Sequence, residues 1–66
     1  MSAPRSSFAA EMEAGEEAAR RAIEAARAAG DPGMIVSLVW RAAEVGGAWA
    51  DGVGEVVGRA ALAAAT

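Results

Sequence analysis

The sequence predicts an all-α fold, a helical hairpin of two helices joined by a Gly-Asp-Pro-Gly turn. It rests on three observations. Apolar and small residues recur with alternating spacings of four and three from Phe8 to Ala29, which is the period of one helix face. Gly30-Asp31-Pro32-Gly33 then interrupts the pattern. The same rhythm resumes after Met34 and continues almost to the last residue.

Residues 1–7 (MSAPRSS) read as a flexible tail, and residues 8–66 as a single helical unit. Ser6 or Ser7 suits a helix N-cap, because a hydroxyl can accept a bond from a free amide of the first turn. Glu11 and Glu13 follow near the positive helix end, where carboxylates are favoured. The first helix carries a heptad seam of Phe8, Met12, Gly15, Ala19, Ala22, Ala26 and Ala29, built mostly of small residues. Glu13, Glu16, Glu17, Arg20, Arg21, Glu24 and Arg27 occupy the other face. Glu16–Arg20 and Glu17–Arg21 stand four apart, each pair contributing about 0.2–0.5 kcal/mol. Glu13, Glu16 and Glu17 would be the acidic set for a divalent metal, but at this spacing they read as a solvated face.

The turn is written in the residue types that end one helix and begin another. Gly30 suits the left-handed position after a helix end. Asp31 can cap the next helix, and Pro32 fits its first turn, where a missing N–H is no loss. A phosphate-binding loop would need a preceding strand and a lysine, and the chain has neither.

Met34 to Trp40 could be a strand by composition, but no second run of that type exists to pair with it. Ile35, Val39, Ala42, Gly46, Trp49, Val53, Val56, Ala60 and Ala63 keep the helical rhythm instead. Ser37, Arg41, Glu44, Asp51, Glu55 and Arg59 form a narrow polar stripe opposite. One continuous helix from Pro32 to about Ala64 would be roughly 50 Å long. The alternative is a break at Gly46-Gly47, since paired glycines favour kinks and ends, giving three helices. No side-chain cap begins a new helix there, which favours continuity.

Ala42, Gly46, Ala50, Gly54 and Gly58 are spaced by four. Glycine in a helix interior costs about 1 kcal/mol relative to alanine, a cost that close approach of another helix can offset. The expected interface is therefore this ladder with the two tryptophans: Trp40, Ala42, Gly46, Trp49, Ala50, Gly54 and Gly58. Aromatic side chains concentrate binding energy at such contacts.

Composition narrows the function. The chain has 66 residues, no Cys, no His and a net charge of −3. Disulfides, thiolate metal sites and imidazole catalysis are excluded. No pair of carboxylates sits in an apolar setting that would divide acid from base, and a chain this short cannot wall off a small-molecule pocket. No catalytic, cofactor-binding or metal residue is assigned. The acidic balance argues against nucleic acid as a partner. Charges at short intervals argue against a transmembrane span, and residues 1–7 lack the apolar run of a signal peptide, so synthesis in the cytoplasm is expected.

Most of the apolar content is alanine, and below about 70–80 residues natural domains usually add disulfides, a metal or oligomerisation. Only the last is open here. The expected function is a non-enzymatic structural subunit, packing with copies of itself or in a larger assembly such as a filament, secretion apparatus or virus-like particle. A small adaptor docking on one larger protein is the alternative. A membrane-active peptide of bacteriocin type is weaker, because net negative charge opposes binding to anionic lipid.

Two helices joined at Asp31-Pro32 are similar in outline to the needle subunits of type III secretion systems, although the polar, Asn/Gln-rich second helix of that family is missing. An acidic first helix before an apolar small-residue one looks like filamentous-phage coat proteins. Their basic C-terminal cluster is reduced here to Arg59. The chain is assigned to neither family.

Overall fold

The computed structural model describes residues 6–65. Three helices follow one another, α1 (Ser6–Ala29), α2 (Gly33–Val45) and α3 (Gly47–Ala65), with no strand among the described residues. The all-α expectation holds, including helix across Met34–Trp40. Ser7 is already the second residue of α1. Ser7 therefore lies inside the helix rather than at its cap, and the Ser6 side chain and most of the expected tail lie outside the described residues.

The first turn forms as its residue types dictate. Gly30 has φ 66°, the left-handed region that a Cβ disfavours. Asp31 N–H donates to Ala26 O at 2.9 Å and Gly30 N–H to Arg27 O at 3.4 Å, the paired closure of a Schellman helix end. Asp31 Oδ1 accepts from Gly33 N–H at 3.0 Å and so caps α2. Pro32 sits at φ −66° and ψ −14°, already helical and with no amide to leave unsatisfied.

The second junction corrects the expectation of one continuous helix. Gly46 N–H still donates to Ala42 O at 2.9 Å, but Gly46 and Gly47 have φ 69° and 72°. Two successive positive-φ residues, with Gly46 at ψ −172°, turn the chain out of the helix, and a residue with a Cβ would add about 1–3 kcal/mol of strain at each. No side-chain cap is needed because the glycine backbone itself makes the reversal.

The result is an up–down–up arrangement. Met12 and Gly15 of α1 lie against Gly52 and Trp49–Val53 of α3. Farther along, Ile23, Ala26 and Arg27 share a groove with Val57, Ala60 and Ala61. Both helices therefore advance in the same direction, and α1 packs more extensively on α3 than on α2. α2 runs back between these ends. Its Ile35 lies at the Gly30 end, while its Ala42 meets Ala19 and Val53 in the core.

The core is small. Ala19 and Val53 are fully buried, and Leu38, Trp49, Ala50, Val56 and Val57 pack around them. Met12, Gly15, Ala19, Ala22 and Ala26 of the predicted seam are buried or half-buried, whereas Phe8 and Ala29 at its ends are exposed. On α2 and α3 all six residues of the predicted polar stripe, Ser37, Arg41, Glu44, Asp51, Glu55 and Arg59, are exposed.

Backbone proximity at the α1–α3 crossing explains the small residues. A Cβ at Gly15 would overlap Trp49 O and stand 2.9 Å from Trp49 C and 3.1 Å from Val53 N. A Cβ at Gly52 would overlap Met12 O and stand 2.9 Å from Glu16 N. Each glycine thus admits the other helix's backbone.

Candidate interaction surface

The break at Gly46-Gly47 redistributes the seven expected interface residues. Ala42 is buried in the core, and Gly46 is half-buried in the junction. Trp49 and Ala50 are half-buried against the core. Gly54 and Gly58 are exposed, and a Cβ on either would meet nothing within 4 Å. The ladder is therefore not one continuous surface, because its members belong to two helices with different directions. The glycines that do face another backbone are Gly15, already in the predicted seam, and Gly52, which the four-residue spacing of the ladder passed over.

Trp40 alone of the seven is a large side chain open to solvent, at 69% exposure. It does not stand alone. Val36 is 54% exposed and Val39 43% exposed on the same helix. With Ile35 and Ala43 they line a shallow apolar depression on the outside of α2. Residues 36, 39, 40 and 43 have the i, i+3, i+4, i+7 spacing of a single helix face. Ile35, Leu38 and Ala42 supply the other, inward face of the same helix. A helix that is apolar on two faces has more to cover than one small core can receive. The apolar flanks of Ser37 carry this signal in the sequence, but the four–three rhythm assigns Val39 to the inward seam, whereas the structure turns it outward.

Polar chemistry is confined to the outer surface. Arg20 pairs with Glu16 at 3.7 Å and with Glu17 at 3.3 Å, and Arg21 pairs with Glu17 at 3.3 Å. Both predicted four-apart pairs on α1 are formed. Arg59 pairs with Glu55 at 3.8 Å on α3. Glu16 also faces Glu55 across the crossing. A shared hydrogen bond with Glu55 raises the Glu16 pKa above its ordinary value, with partial burial and the Glu55 charge adding to the rise. Arg20 and Arg59 oppose that rise. Among the described residues, Arg27 and Arg41 make no ion pair, and no group of three acidic, His or Cys side chains is placed to hold a metal.

A second apolar depression opens at the Gly30 end, between α1 and α3, with a volume of about 580 Å³. It is a groove open to solvent rather than an enclosed cavity. No described helix is long and apolar enough to cross a membrane. No protein-family model matches the chain, and neither a curated protein nor a solved structure matches it.

Proposed function

We propose that the chain is a non-enzymatic structural subunit that self-associates through the outer face of α2. The observation that carries this reading is the row of Val36, Val39 and Trp40, exposed together on one helix face. Contiguous exposed apolar surface rimmed by polar residues marks interaction sites. Trp is among the residue types that dominate binding energy.

A small helical subunit with one uncovered apolar face suits a repeating assembly such as a filament, a secretion apparatus or a virus-like particle.

Sedimentation velocity over a concentration series tests the proposal. The parent chain should form discrete oligomers, and Trp40→Glu should dissociate them. A chain that stays monomeric and melts cooperatively at every concentration refutes self-association. A monomer that forms a stoichiometric complex only with a different protein favours the adaptor reading.

A further inference from the structure

We propose that the groove at the Gly30 end of the bundle receives Trp40 of a second copy of the chain. The inference deepens the self-association reading and rests on it. The groove arises from the packing itself. The Gly15–Gly52 crossing draws the α1 and α3 backbones together at one end. Toward the other end the facing residues include Ala26, Ala60 and Ala61, and methyl groups are too short to fill the space between the helices. Ile23, Ile35 and Val57 complete an apolar lining.

Trp40 is the exposed side chain best suited to that space. An aromatic ring buries about 150–250 Å² when covered, and tryptophan anchors seated in pockets are the usual centres of protein contacts. Its own chain leaves it exposed, and it does not line its own groove. Both surfaces carry both signs of charge. Arg27 and Asp31 line the groove, Arg41 and Glu44 flank Trp40 on α2, and none of the four has an ion pair among the described residues. Docking in the register that sets Glu44 against Arg27 and Arg41 against Asp31 brings opposite charges from two copies to one rim. The surfaces are also continuous, because Ile35 lines both the groove and the depression beside Trp40. One contact therefore covers both.

A mixing experiment with the full chain tests this. Trp40→Glu removes the inserted side chain. Ala61→Glu places a charge in the groove, and Ala61→Leu fills it without one. Residues 40 and 61 are exposed, so circular dichroism of each variant should match the parent. Each variant alone should weaken association about 30-fold or more, the loss expected for a central anchor. An equimolar mixture of Trp40→Glu with Ala61→Glu should recover a two-chain species, because each supplies the half the other lacks. Parent-like association of both Ala61 variants, or no recovery on mixing, overturns the groove assignment while self-association through α2 stands. A parent monomeric at every concentration removes both.

Discussion

Alanine substitution at the four interior helical glycines separates close packing from open surface. Gly54 and Gly58 face open space, so Gly54→Ala or Gly58→Ala should express helix propensity alone. That stabilises by about 1 kcal/mol, or roughly 4–8 °C in melting temperature for a domain of this size. Gly15→Ala has the same gain but puts a methyl carbon into Trp49 O, with Trp49 C only 2.9 Å away. The helices must move apart by about 1 Å to restore ordinary contact. A gap of that size forfeits a quarter to a half of each dispersion contact. A well-buried side chain makes on the order of 50 contacts of about 0.1–0.2 kcal/mol each, so a set of that size at the crossing loses about 1–5 kcal/mol. After the propensity gain of about 1 kcal/mol the net expectation is a destabilisation of about 0–4 kcal/mol, in place of the gain at Gly54. Gly52→Ala should behave alike, since it meets Met12 O and Glu16 N from the opposite side. Urea melts followed by helical ellipticity measure all four. If Gly15→Ala and Gly52→Ala stabilise as much as Gly54→Ala, the α1 and α3 backbones are not in contact at Gly15 and Gly52, which refutes the close crossing.

Three further outcomes follow from named groups. Gly30→Val should lower stability by about 1 kcal/mol or more in the same melts, because a β-branched residue is strained at φ 66°. Asp31→Ala should cost about 1 kcal/mol through loss of the cap on Gly33 N–H, and Asp31→Asn should retain most of it. The proton on Glu16 is held more tightly in the folded chain than in the unfolded one, chiefly through Glu55. Its contribution is fully present below the unfolded pKa and is lost as pH rises through the raised folded value. Stability should therefore fall as pH climbs through that window. Glu16→Gln should flatten the dependence and melt higher than the parent at pH 7. A parent whose melting temperature does not change across that window would contradict the carboxylate contact.

Local chemistry made much of this fold legible. Gly30-Asp31-Pro32 announces its own geometry, since each residue acts through bonds to near neighbours. The seam from Met12 to Ala26 follows from period alone. Gly46-Gly47 was harder, because the same two residues serve either a helix interior or a reversal. The choice is made by whether Trp49 and Val53 gain more by folding back onto α1, a long-range quantity. Gly52 was invisible for the same reason, as its importance lies in Met12 and Glu16, some forty residues earlier in the chain. Trp40 and Trp49 are alike as residues. Only the orientation of α2 and α3 after the break exposes the first and half-buries the second.

The same-direction pairing of α1 and α3 has a kinetic consequence. A parallel helix pair cannot zip outward from a short turn, so its crossing at Gly15 and Gly52 closes only after the whole of α2 has been traversed. Loop closure of that length is an entropic barrier met before the contacts that reward it. The α1–α2 turn, by contrast, is made of bonds between near neighbours and can form first. Substitutions at the crossing should then leave the refolding rate nearly unchanged and accelerate unfolding, whereas substitutions at Gly30 and Asp31 should slow refolding. Rapid-mixing chevrons of Gly52→Ala and Asp31→Ala would reveal that division of labour between the two ends of one small bundle.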